Sequence, residues 1–127
     1  KETKDDRGYH LLLLAKNKQG YHNLVKIVSK AWSEGYYYNP RTDKVELEKY
    51  HEGIICCSAC LGGEIPRLIR KGNHEEAAAA IEWHRSIFGD DYYLELQLQQ
   101  VKWSKHSYLK NYNYHVHNSF IFLLIFI

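Results

Sequence analysis

Acidic residues run out early in this chain: all 15 aspartates and glutamates lie at or before Glu95, and residues 96–127 hold none. Through residue 100 they face 14 lysines and arginines, a balance of −1, while Lys102, Lys105 and Lys110 bring the whole chain to +2. A body so near neutrality lacks the basic stripe that tight duplex binding demands, which leaves only local, metal-assisted contact with nucleic acid. Cysteine is also scarce. Three residues, an odd number without a secretory leader, predict a reducing cytosol rather than a disulfide scaffold. Cys57-Ser-Ala-Cys60 has zinc-ligand or redox spacing, but a zinc ribbon needs a second pair, and a redox pair should open a helix rather than sit in a strand. Long apolar runs are missing as well: Phe120–Ile127 is eight residues, against the roughly 20 that cross a bilayer, so no membrane partner is expected.

What is present reads as alternating strands and helices. Leu11–Ala15 predicts a buried strand, and Tyr21, Leu24, Val25, Ile27, Val28, Ala31 and Trp32 form a wide apolar stripe on a helix over Lys18–Glu34 that stops at Gly35. Tyr36–Asp43, with Asn39-Pro40, reads as a loop, and Val45–Tyr50 as a short helix. A short helix through Pro66–Lys71 ends at Gly72; Asn73 and Glu76 then form a capping box for a helix over His74–Phe88 with Ala77, Ala80, Ile81 and Phe88 inward. Asp91–Leu98 alternates, with Tyr92, Leu94, Leu96 and Leu98 on one side. This rhythm predicts an α/β fold with a parallel sheet.

The most informative stretch is Ile54-Ile-Cys-Cys-Ser-Ala-Cys-Leu-Gly-Gly-Glu-Ile-Pro66. Ile54–Cys57 is a short apolar run suited to a strand covered on both faces. Gly62 and Gly63 permit a sharp turn, and Pro66 fits the first turn of the helix that follows. Cys60 is thereby placed just past the C-terminal end of a strand, the rim where open and barrel α/β folds build their sites.

Five words in order, Tyr9-His-Leu-Leu-Leu-Leu-Ala-Lys-Asn17, Gly20-Tyr-His-Asn-Leu24, Glu34-Gly-Tyr-Tyr-Tyr-Asn-Pro-Arg41, Ser58-Ala-Cys-Leu-Gly-Gly-Glu64 and Tyr93-Leu-Glu-Leu-Gln97, give the segment its likeness. Together it resembles the PHP (polymerase and histidinol phosphatase) domain of bacterial replicative DNA polymerase III alpha subunits, and the three tyrosines look most like the Bacteroides type. The resemblance implies a distorted β/α barrel, seven-stranded when complete, of which about three strands are present here. It implies a partial PHP domain over residues 1–100 and ends there; the non-homologous, apolar-ended tail over 101–127 reads as translated out of frame or from a broken gene, with a native C-terminal anchor as the alternative. That tail is β-prone, charge-free at its end and an aggregation hazard.

The same resemblance implies a rim of His, Asp, Glu and Cys that binds divalent metal (zinc, manganese or iron), with His10 and Cys60 as the two matching positions in this chain. The family's remaining motifs would fall before Lys1 and beyond Gln97, so the segment alone is expected to hold no metal stably and to be inactive. His115-Val-His117 has the look of a metal motif, yet it lacks the aspartate and lies in the tail, and is taken as coincidence. Read as residue types alone, His10 and Cys60 are also compatible with a satisfied strand histidine and a small buried thiol. Arg41 is a candidate phosphate contact, with an exposed loop arginine as the plainer alternative. Glu95 reads as a hydrogen-bonded or solvated carboxylate near the rim, and His22, His51, His74 and His84 as surface helix residues. Tyr36–Tyr38 reads as packing against another domain. For the parent the resemblance implies DNA synthesis in a separate domain, and a PHP domain serving as a 3′–5′ exonuclease or phosphoesterase or as a platform. It also implies DNA, a proofreading exonuclease and a sliding clamp as partners, in the cytoplasm. The alternatives are a PHP-type phosphoesterase outside a polymerase, or an interaction module without catalysis.

Overall fold

The computed structural model describes residues 8–96 and the backbone of a short strand at 124–126. Strand β1 (His10–Ala15) leads through the Asn17 cap into α1 (Lys18–Ser33), where the Asn17 carboxamide oxygen accepts the Gly20 N–H at 2.9 Å. Two-residue strands β2 (Tyr36–Tyr37) and β3 (Asn39–Pro40) follow, then α2 (Lys44–Tyr50), capped by Asp43. Strand β4 (Ile54–Cys57), α3 (Glu64–Arg70), α4 (His74–Phe88) and β5 (Tyr92–Tyr93) complete the body. Four helices thus flank a three-stranded sheet of order β5-β4-β1, and β6 (Leu124–Phe126) adds to the far edge of β1.

The sheet is mixed, not parallel as the strand–helix rhythm suggests. β4 and β5 are parallel, but β1 and β4 run antiparallel, with Leu13 opposite Cys56 and Ala15 opposite Ile54. The reason lies in the connection: α1 and α2 form an out-and-back pair that returns the chain to the end of the sheet where β1 stopped. Gly20 of α1 and Gly53 before β4 seal this return, since a Cβ on Gly20 would lie 1.7 Å from the Gly53 carbonyl oxygen. Lys16 N–H also donates to that carbonyl at 2.8 Å. Between β4 and β5 only α4 has the length to make a return, so those strands stay parallel.

Alternation divides the leucines of β1 between two faces. Leu11 and Leu13 join Ile27, Leu47, Ile54, Cys56 and Phe88 in the main core beneath the helices, while Leu12, Cys57 and Ala59, with Leu14 and Ile55 beside them, cluster separately. Several expected details differ. On α1 the inward residues are Gly20, Asn23, Ile27 and Ala31, whereas Tyr21, Val25 and Trp32 are exposed. Burial of Asn23 is offset by hydrogen bonds: its amide donates to the Glu52 carbonyl at 3.0 Å and its oxygen accepts from Gln19. The Tyr36–Pro40 loop is a small hairpin with Tyr38 at φ +58°. Asn73 makes no capping bond to the backbone; its amide bonds the Glu76 carboxylate at 3.0 Å instead.

The last strand is shorter than its alternation suggests. β4 offers β5 only Cys56 and Cys57 before turning away, so Leu94 and Leu96 are exposed outside regular structure. His84 is not a surface residue: it is 3% exposed, its Nδ1 stands 2.8 Å from the Ala80 carbonyl oxygen, and its ring stacks on Tyr92. His22, His51 and His74 are exposed. Leu98, the boundary at residue 100, and His115 and His117 lie outside the described residues.

Candidate metal centre

The loop after β4 does the positioning. Ser58 N–H continues the ladder by donating to the Tyr93 carbonyl at 2.9 Å, and its hydroxyl accepts the Glu95 N–H at 2.8 Å. Ala59 then enters the left-handed region at φ +60°, a conformation costing about 1–2 kcal/mol for a residue with a Cβ. The reversal ends on Gly62 and Gly63, and Gly63 N–H closes it on the Cys60 carbonyl at 2.8 Å. Gly62 C=O accepts the His10 N–H at 3.1 Å, and His10 and Gly63 form a parallel bridge, so the loop lies alongside the start of β1.

Two side chains fifty residues apart in sequence thereby meet: His10 Nδ1 stands 3.3 Å from Cys60 Sγ. The sulfur also accepts the Gly62 N–H at 3.4 Å. Gly62 faces the imidazole so closely that a Cβ there would lie 2.8 Å from His10 Nδ1, and a Cβ on Gly63 would lie 2.3 Å from the Ser58 carbonyl oxygen. From the other side, the Arg67 guanidinium bonds the Gly8 carbonyl at 3.0 Å and lies 5.0 Å over the Tyr9 ring, fixing the approach to His10. The glycines were visible in the sequence. Ser58 and Ala59 stood in the sequence only as part of the Ser58–Glu64 word, without a positioning role, and Arg67 was not singled out.

The neighbouring thiols differ in character. Burial pushes Cys57 up to about 11, with the Glu95 carboxylate adding to the shift, and burial raises Cys56 further still. Both are held as neutral thiols in the packed sheet. Cys60 is partly exposed. An imidazole nitrogen and a sulfur bound tetrahedrally to one metal stand about 3.5 Å apart, so the His10–Cys60 spacing and donor set fit a divalent ion. Among the described residues, no three His, Cys, Asp or Glu side chains converge. His10 sits at the N-terminal end of β1, not at a C-terminal strand end; the antiparallel pairing is what brings it to the rim where β4 and β5 finish.

Arg41 lies elsewhere. Its guanidinium sits 5.1 Å over the Tyr37 ring, and it lines a cavity between α1 and α2 that includes neither His10 nor Cys60. Tyr36, Tyr37 and Tyr38 are exposed, with Tyr36 stacked on Trp32.

Residues 2–99 of this α/β domain, which sets a histidine and a cysteine together at a sheet rim, match the PHP domain, and the chain belongs to that family. PHP domains in general bind divalent metals. Its relatives are DNA polymerase III alpha subunits. The protein of that name from Borreliella burgdorferi is 55% identical over 104 residues, covering 80% of this chain and 9% of the relative. Those of Treponema pallidum and Deinococcus radiodurans are 47% identical over 92 residues and 45% over 89. They cover 72% and 70% of this chain, and 8% and 7% of the relatives. The chain therefore spans less than a tenth of the length of these proteins. Among the described residues, no helix is long and apolar enough to cross a membrane.

Proposed function

We propose that this chain supplies one wall of the metal pocket in the PHP domain of a bacterial replicative DNA polymerase alpha subunit, with residues 1–100 as the PHP part and 101–127 as a tail. The observation that carries this reading is the 3.3 Å approach of His10 Nδ1 to Cys60 Sγ. The two-faced sheet supports it: helices cover the Leu11–Leu13 face, while His10 alternates with Leu12 and Leu14 onto the other, the face a β/α barrel turns inward.

In this reading His10 and Cys60 hold a zinc, manganese or iron ion jointly with residues from the rest of the domain. When bound, the metal supplies Lewis-acid stabilisation of a phosphate and an activated water for phosphoester hydrolysis. The chain's own part is orientation. Gly62 N–H and the Ala59 turn aim the sulfur, and the Gly62 surface fixes the plane of the imidazole. The parent's DNA synthesis belongs to a separate domain. DNA, the proofreading exonuclease and the sliding clamp are its proposed partners, in the cytoplasm.

Cobalt(II) substitution tests the site without relying on activity. The complete PHP domain carrying this segment, and its Cys60→Ser and His10→Ala variants, are titrated with cobalt, and the sulfur-to-metal charge-transfer absorption is followed. The expected result is an absorption in the wild type that vanishes in Cys60→Ser and weakens in His10→Ala. A band that survives Cys60→Ser, or a wild type that never shows one, overturns the assignment.

A further inference from the structure

Helix α1 carries two apolar seams rather than one. Gly20, Ile27 and Ala31 face the core and are buried, whereas Tyr21, Val25, Val28 and Trp32 follow one another at steps of four, three and four along a neighbouring strip. Val28 packs partly against the core, but Tyr21, Val25 and Trp32 are 59%, 46% and 60% exposed. Tyr36, stacked on Trp32 with ring centroids 5.8 Å apart, carries the strip past the end of the helix. Single exposed apolar side chains are ordinary; a row of them at this spacing is the pattern by which one helix meets another.

The opposite flank of α1 already has its neighbour. Asn23 bonds the Glu52 carbonyl at 3.0 Å, the Lys26 ammonium lies 5.3 Å from the Tyr50 ring centroid, and Lys30 pairs with Glu46 at 2.8 Å, so this side meets α2 and the turn that follows it. At about 3.6 residues per turn the two flanks stand roughly 160° apart around the helix, with the sheet between them. The helix is therefore placed as an inner member of a layer: sheet beneath, α2 on one side, and on the other an apolar seam that no element covers among the described residues.

Layered α/β folds lay helices side by side over the sheet, which makes the fitting occupant a helix. The same polypeptide has ample length to supply it, because the chain spans only 9%, 8% and 7% of three DNA polymerase III alpha relatives. Charge narrows the occupant further. Helix α1 contains three lysines and no acid, and exposed Lys18 borders the Tyr21 end of the seam, which favours carboxylates beside the neighbour's apolar stripe.

We propose that the seam of Tyr21, Val25, Val28 and Trp32, extended by Tyr36, is the docking face for a further helix of the same alpha-subunit polypeptide, packed beside α1 in the helical layer of the PHP domain with its acidic flank toward Lys18. The placement presupposes the larger PHP domain proposed above but not its metal, so loss of the cobalt band and loss of the seam's cover are separate outcomes.

Thiol labelling locates the cover. Val25→Cys, and Trp32→Cys toward the other end of the seam, are made in the complete PHP domain carrying this segment and in the 127-residue chain. Maleimide uptake is read peptide by peptide against the same cysteine in urea, with slow labelling of buried Cys57 marking the folded state. Both new cysteines should label in the folded chain within about threefold of their rate in urea, and in the complete domain at least about tenfold more slowly than in urea. If the isolated chain does not fold, the complete domain decides. Free labelling in the complete domain, protection already present in the folded 127-residue chain, or protection that appears only in the intact alpha subunit, only at raised protein concentration or only with added oligo(dT) would each overturn the proposal.

Discussion

Gly62 lies flat against the imidazole of His10: a single methyl group added to it would stand 2.8 Å from Nδ1 and 3.0 Å from the neighbouring ring carbons. Gly62 is not held at positive φ, so the constraint is contact alone. Gly62→Ala is expected to push the ring away from Cys60 and to cost about 1–3 kcal/mol through overpacking. Urea unfolding reads the stability, and the His10 ring resonances read the displacement; an alanine variant with unchanged stability and shifts would refute the contact.

The three thiols should separate by accessibility. Cys56 and Cys57 are buried with raised pKa values, Cys57 at about 11, whereas Cys60 is partly exposed. Brief iodoacetamide treatment of the folded chain near pH 8 should place one label, on Cys60, by peptide mass spectrometry, because the thiolate is the reacting form. Labelling of Cys57 at a comparable rate would contradict the buried strand.

Burial holds the pKa of His84 below its ordinary value of 6.5, against an upward pull from its bond to the Ala80 carbonyl; Glu64 also raises it and Lys44 lowers it. The unfolded chain therefore takes up this proton first as pH falls. The stability from the neutral ring is complete above about pH 6.5 and is lost on acidification toward the folded pKa, at no more than about 1.4 kcal/mol per pH unit. Urea midpoints at pH 7.5 and pH 5 should differ more in the wild type than in His84→Gln. Identical pH dependence in the two would remove His84 from the account.

Leu13 is 1% exposed at the centre of the main core, while Val45 on α2 is 68% exposed. Leu13→Ala is expected to cost about 2–5 kcal/mol, and Val45→Ala within about 0.5 kcal/mol. Comparable losses at the two sites, measured by denaturant unfolding, would show that β1 is not the core strand.

β6 pairs antiparallel with β1, setting Leu124 opposite Leu12 and Phe126 opposite His10. Ending the chain after residue 119 leaves that edge of β1 without this partner, and open strand edges recruit other chains. The shortened protein should form larger species in light scattering at concentrations where the full chain does not. If it stays monomeric, β6 contributes no edge protection.

The element boundaries were legible wherever local chemistry sets them. The Lys18 start of α1 and its stop before Gly35, the His74–Phe88 span of α4 and the apolar run Ile54–Cys57 of β4 all follow the sequence reading. Local signals failed where a partner decides. The alternation through Leu98 describes a strand that β4 is too short to pair, and the apolar stripe on α1 includes Tyr21, Val25 and Trp32, which the sheet does not reach. Asn73 and Glu76 have the spacing of a capping box, yet bond each other.

By itself the sequence determined the α/β alternation, the glycine turn after β4 and the family, because propensity, periodicity and motif order are local properties of the chain. Tertiary structure alone decided that β1 runs against β4, that His10 thereby reaches Cys60, that His84 is buried, and that Glu46 and Thr42 share a cavity with Arg41. Those outcomes depend on how many helices return the chain between two strands and on which surfaces then close on each other, and no window of neighbouring residues contains that information.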